Sequence, residues 1–188
     1  MSIKDGKKKY GKLITAEAAP HHFSLTQKDW AEWGVNAKMA PPLATENDRQ
    51  AIIRGLADGT IDAIATDHAP HTAQEKASDN PPNGIIGLET AVPLALTHLY
   101  HTGAIAPLQL VRLMSTNPAN ILGIRGGTLS QGCIADITII DPDKVFTVDS
   151  TKFASKSKNQ PYHGRQLRGV VTNTICGGDI IRQISIDK

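Results

Sequence analysis

Apolar and polar positions along the chain fall into two textures that meet near residue 125. Up to about Leu122, short runs of small apolar residues alternate with segments of helical period; from Gly126 onward, short β-rich runs are separated by Gly, Pro and Asp. Leu13 to His22 reads as a buried strand that ends at Pro20, and Ser24 to Trp33 as a short amphipathic helix. Met39 to Leu43 cannot be helical in its middle, because Pro41 and Pro42 remove donors and restrict the residues before them. Thr45 is placed to cap a helix with Asp48 at its third position. Ile52, Ile53 and Leu56 then share one face, and Asp58-Gly59 stops the helix. A second strand, Ile61 to Thr66, follows at once. Thr72 to Gly87 reads as a loop, Leu88 to Tyr100 and Pro107 to Met114 as helices, and Asn117-Pro118 as the opening of one more helical turn. Thr128-Leu129, Ala135 to Asp141, Val145 to Val148, Gly169 to Cys176 and Asp179 to Ile184 read as strands of an antiparallel unit, with the Ser/Lys stretch near Ser155 to Ser157 as a plain loop. The expected class is α/β: strand–helix units over 1–124, then a small β module over 125–188.

Composition narrows the partners more than the fold. The 188 residues are 40% hydrophobic and 20% charged, which supplies a core and excludes disorder as the main state. Lys plus Arg is 20 against 18 for Asp plus Glu, a net charge of +2 that gives no reason to expect nucleic acid or an anionic membrane. No apolar run reaches the roughly 18 residues a membrane span needs. Cys133 and Cys176 are too few and too far apart for a disulfide framework or a thiolate zinc site. The default expectation is a reducing compartment, the cytoplasm. The lysines of the first dozen residues read as a solvated helix face.

Both expected strands end in a proline-bracketed histidine cluster, Pro20-His21-His22 and Asp67-His68-Ala69-Pro70-His71. In parallel α/β folds the carboxyl ends of strands form the binding mouth. The separation of 46 positions from His21 to Asp67 has room for one loop, one helix and the return strand, which brings both clusters to the same end. Alternation along the second strand puts Ile61, Ala63, Ala65 and Asp67 on one face. A carboxylate at that rim can ligate a divalent metal and shuttle a proton, while His71 is better placed to reach a substrate. The residues alone leave a second reading open: Asp67 as a loop cap and the histidines as hydrogen-bonded packing, since a catalytic zinc usually takes three protein ligands.

The run Ala63 to His71, followed by Glu75-Lys76, resembles the last-strand signature of the dihydroorotases, in the cyclic amidohydrolase branch of the amidohydrolase superfamily. Thr15 to His22 is similar to the penultimate barrel strand of that family, Lys38 to Leu43 to its substrate-side loop, and Gly84 to Thr90 to the loop and helix that follow. Asn117-Pro118-Ala119 resembles the final helix, and Gly127 to Asp141 the return into a small β-sandwich. The resemblance implies the carboxyl-terminal part of a metal-dependent (β/α)₈ barrel that interconverts dihydroorotate and carbamoyl aspartate in pyrimidine synthesis with one or two zinc ions. It makes Asp67 the metal-binding and proton-moving aspartate, His71 the holder of the substrate carboxylate, and Asn83 with Gly84 a backbone contact to substrate. Ala40 stands where many relatives have asparagine. Glu17, His21 and His22 sit at the mouth outside the main zinc pair.

The amino-terminal His-x-His motif, the bridging ligand and the two middle-strand histidines of the family have no counterpart here, and a whole barrel takes about 250 residues. The expectation is therefore a fragment, inactive and without catalytic metal when alone. The missing amino-terminal barrel portion, a second polypeptide or a second copy would complete it. Alternative expectations are a non-catalytic partner of aspartate transcarbamoylase, and a hydantoinase- or allantoinase-like hydrolase.

Overall fold

The computed structural model describes residues 2–184. Helix α1 (Ile3–Tyr10) starts in a capping box between Ser2 and Asp5. Its lysine face is not purely solvated: Lys4 pairs with Asp58 at 2.8 Å and Lys7 with Asp62 at 2.6 Å, which ties the helix to the elements that follow. Strand β1 (Glu17–Ala18) leads into α2 (Pro20–Ser24), α3 (Trp30–Trp33) and α4 (Glu46–Ala57). Strand β2 (Ala63–Ile64) pairs in parallel with β1, Glu17 opposite Ala63 and Ala18 opposite Ile64. After β2 come α5 (Ala73–Lys76), α6 (Ala91–Ala95) widening into a π turn over Leu96–Tyr100, α7 (Pro107–Val111) widening over Arg112–Thr116, and α8 (Asn117–Leu122). An antiparallel sheet closes the order: β3 (Ile137–Thr147), β4 (Gln166–Cys176) and β5 (Asp179–Gln183), in that spatial sequence.

Several expected boundaries move, each for a local reason. The first strand is two residues long, because Pro20 opens α2 from its first turn and its fixed φ suits a helix start. His21 and His22 therefore sit on a helix. The expected helix over Ser24 to Trp33 breaks in two: Thr26 caps a 3₁₀ turn at Gln27–Asp29, and Gly34, at φ +49°, ends α3. Thr72 opens the helix α5 inside the expected loop through a capping box with Glu75. Leu88 is exposed and precedes α6, so that helix starts later than its apolar pattern indicates. Thr128-Leu129 lies outside the strands, and Ala135 to Asp141 and Val145 to Val148 merge into one strand, β3. Its register shifts on either side of Asp141, where Pro142 lacks a donor for the ladder. By contrast, α4 has the expected Thr45–Asp48 capping box and ends at Asp58.

One apolar cluster joins both textures, with Phe23, Leu25, Leu56, Ile85, Leu94 and Leu99 packed together with Val148, Tyr162 and Leu167. The close approach of β4 to α6 requires Gly169, φ +102°, since a Cβ there would overlap Leu96. Among the described residues no helix is long and apolar enough to cross a membrane.

Candidate active site

The tips of β1 and β2 lie side by side, so the two histidine clusters share one end of the parallel pair. At the first tip, His21 is 2% exposed and its Nε2 has no hydrogen-bond partner among the described residues. Burial, reinforced by the adjacent His22, lowers its pKa to about 3, so the ring is neutral at neutral pH. His22 turns outward and donates from Nε2 to the Pro41 carbonyl at 3.1 Å.

At the second tip, Asp67 is the one non-glycine residue with positive φ, +49°, among the described residues. Aspartate tolerates this left-handed conformation better than most side chains do. The flanking chain is held on both sides. Gly87 lies so close that a Cβ there would come within 2.8 Å of the Thr66 carbonyl oxygen. His68 Nδ1 accepts from the Gly87 and Leu88 amides at 3.0 and 3.4 Å, and the Ala69 amide donates to Ile85 at 2.8 Å. The resulting turn swings Asp67 out of strand alternation and toward a cleft of about 600 Å³, whose walls include Glu17, His22, Ala40, Arg49 and Ala65. Its Oδ2 lies 3.9 Å from His21 Nε2.

His71 belongs to a second group. Its Nε2 lies 2.9 Å from the Asn83 carbonyl, which can only accept, so that nitrogen holds the proton. Gly84 adopts φ +107°, and a Cβ there would overlap that of Ala69. Most backbone polar groups of this turn are already engaged: Asn83 C=O by His71, Gly84 N–H by Lys38 C=O at 2.9 Å, and Gly84 C=O by the Asn159 side chain at 3.2 Å. Among the described residues the Asn83 amide has no hydrogen-bond partner. Asn83 also lines a second hollow of about 420 Å³ with Lys38, Met39 and Trp30. The structure thus gathers Asp67 with the mouth residues of β1, and His71 with Asn83 and Gly84. The five-residue run from 67 to 71 links the two groups.

Sequence reasoning missed three residues that build this region. Lys76, 4% exposed, donates to the carbonyls of Val35 at 3.1 Å and Pro82 at 3.0 Å; burial and nearby Lys38 lower its pKa. Lys38 donates to Pro81 at 2.6 Å, so two ammonium groups clamp the loop before Asn83. Asn159, 6% exposed, reaches in from just beyond the Ser155 to Ser157 loop, a stretch to which the pattern assigns no element. The available signal was Tyr162, a large aromatic within a polar stretch, which must find a buried place and carries its neighbours with it.

Among the described residues no group of three or more His, Cys, Asp and Glu side chains converges to hold a metal ion. Asp67 offers one carboxylate. Cys133 and Cys176 are both exposed and free.

Comparison with known proteins gives this geometry a context. The chain is 48% identical over 173 residues to a dihydroorotase of Clostridioides difficile (strain 630), covering 91% of this chain and 41% of that protein. It is 51% identical over 175 residues to a dihydroorotase of Pelotomaculum thermopropionicum, covering 92% and 41%. The chain thus spans about two fifths of the length of these curated relatives. Among solved structures, an L-hydantoinase (dihydropyrimidinase) from Arthrobacter aurescens superposes with a TM-score of 0.90 at 28% identity, over 96% of this chain and 42% of its own. A dihydropyrimidinase from Brevibacillus agri shares the fold at 22% identity and a TM-score of 0.89, over 96% and 41%. The two parallel strand tips are therefore part of the α/β barrel of such enzymes. Residues 13–181 match the model of the amidohydrolase family, and the chain belongs to that family.

Proposed function

We propose that this chain forms the carboxyl-terminal part of a dihydroorotase-type active site, which hydrolyses the cyclic amide of dihydroorotate to carbamoyl aspartate and runs the reverse closure. The observation that carries the reading is Asp67, held on a left-handed turn at a parallel strand tip and facing an open cleft, with His71 four residues beyond. In ring opening, the Asp67 carboxylate accepts a proton as water adds to the amide carbon. It returns that proton to the ring nitrogen as the carbon–nitrogen bond breaks, so one group serves both halves of the reaction. His71 binds the substrate carboxylate by exchanging the Asn83 carbonyl at Nε2–H for the charged oxygen, a stronger charge-assisted bond. The Asn83 amide supplies a further donor to the same substrate.

The reading also implies zinc. A catalytic zinc usually takes three protein ligands, and the described residues supply Asp67 without a converging set, so the rest of the ligand set comes from beyond this chain. The same portion completes the barrel around β1 and β2. It also covers the exposed Ile139, Ile180 and Ile181 of the antiparallel sheet, making that sheet one layer of a sandwich.

Identity of 48% and 51% to dihydroorotases against 28% to an L-hydantoinase favours dihydroorotate over a hydantoin. The test compares dihydroorotate with dihydrouracil, the same ring without the carboxylate, on an enzyme containing this chain. A preference of about 100-fold or more in kcat/KM for dihydroorotate is expected. Equal or reversed preference overturns the proposal.

A further inference from the structure

We propose that Asn159 is a positioning residue that sets the geometry of His71 and of the Asn83–Gly84 turn; the inference rests on the reading of His71 as the carboxylate-binding group. Asn159 lies between β3 and β4, far from the site in sequence, yet its side chain is shared among three backbone groups of the mouth. Its Oδ1 accepts from the His71 amide at 3.2 Å. Its Nδ2 donates to the carbonyls of Ala69 at 3.0 Å and Gly84 at 3.2 Å. The orientation of the amide follows from these partners, because a backbone N–H can only donate and a carbonyl can only accept. Its own carbonyl takes the Ile86 amide at 3.0 Å, fastening the segment to the chain just after the Asn83–Gly84 turn.

The chemistry selects asparagine. One acceptor and two donors are needed in one plane at short reach. Aspartate lacks the donors, leucine lacks both, and glutamine carries the amide one carbon too far. The side chain is 6% exposed, so each of the three backbone groups loses its partner if the amide is removed, with little water to replace it.

The segment that holds Asn159 is itself anchored. Residues 159–162 are all buried, and the Tyr162 hydroxyl meets Ser24 Oγ at 2.9 Å on α2, the helix that carries His21. Arg165 pairs with Asp29 at 2.8 Å, and Lys158 folds back onto the carbonyls of Phe153 and Ser155. The β-rich half thereby reaches across to both histidine clusters. Asn159 fixes where the His71 backbone and the Gly84 carbonyl lie, and through them the separation between His71 Nε2 and the turn that competes with substrate for its proton.

Amide hydrogen exchange on the full chain tests this by residue. In Asn159→Ala the His71 amide should exchange about tenfold or more faster than in the parent. The Ile86 amide, which bonds the Asn159 backbone and not its side chain, should change less than about threefold, as should Leu94 and Leu99 in the core. In Asn159→Asp, which keeps the acceptor and loses the donors, the His71 amide should stay protected while the His71 Nε2 proton signal weakens as the turn moves. An unchanged His71 amide in the alanine variant overturns the proposal, and so does a uniform rise across all amides. In an active enzyme containing the chain, Asn159→Ala should raise KM for dihydroorotate about tenfold with kcat within about threefold; lost kcat at unchanged KM also overturns it. Should the parent enzyme leave dihydroorotate untouched, the functional reading falls, and the exchange pattern still decides the positioning role.

Discussion

Replacing His21 by leucine should flatten the acid dependence of stability. In the folded chain the ring is 2% exposed, and burial with His22 beside it lowers the pKa from an ordinary 6.5 to about 3. The unfolded chain binds a proton at this position near pH 6.5, and the folded chain does not until near pH 3. The neutral buried ring therefore contributes its full stability above about pH 6.5, and that contribution drains away as pH falls toward 3. Between pH 8 and pH 5 the loss amounts to about 2 kcal/mol, and at its limit near pH 3 to about 5 kcal/mol. His98, lowered to about 4 chiefly by burial and then by Arg49 and Arg165, adds a loss of the same sign in both proteins. His21→Leu removes the first contribution alone and keeps a side chain of similar bulk. Urea unfolding at pH 8, 6.5 and 5 should show the parent losing about 2 kcal/mol more than the variant. Equal losses would mean that His21 takes up its proton while folded, with Asp67 at 3.9 Å as partner, and would refute burial as the governing effect.

Two further substitutions probe the scaffold around the site. Gly84→Ala places a Cβ against Ala69 at φ +107°; the turn should shift, with a loss of about 1–3 kcal/mol in thermal unfolding and a KM for dihydroorotate raised about tenfold. Thr45→Ala removes a cap that exchanges hydrogen bonds with Asp48 through Oγ1, and should cost about 1 kcal/mol, seen as a melting temperature lower by about 2–4 °C.

What could be read from the sequence depended on whether the cause was local. The Thr45–Asp48 box and the Ile53, Leu56 face of α4 are short-range signals, and the helix stands where they place it. Asn117-Pro118 opens no separate helix, because the helical backbone runs on from α7 through the π turn into α8, with Thr116 itself helical. The two parallel strands were legible in position and wrong in length, because their ends are set by Pro20 and by the left-handed turn at Asp67, not by hydrophobicity. Ala65 and Asp67 both line the cleft, but Asp67 arrives there through its left-handed turn and not through alternation, and Ile61 and Ala63 of the expected face do not line it. The clamp around His71 was not legible. Lys38, Lys76 and Asn159 act on backbone carbonyls and amides that lie far away in the chain, and nothing in their neighbours' hydropathy marks such contacts. Gly84 could be named, whereas the engagement of its amide by Lys38 could not.

The most direct measurement is the effect of Asp67→Asn on the ring opening of dihydroorotate and on the reverse closure, in an enzyme containing this chain. A group that carries the proton in both directions predicts that kcat falls by about 10²- to 10⁴-fold in each, with the fold retained. A kcat within about tenfold of the parent in either direction would contradict the assignment of Asp67 as the proton carrier.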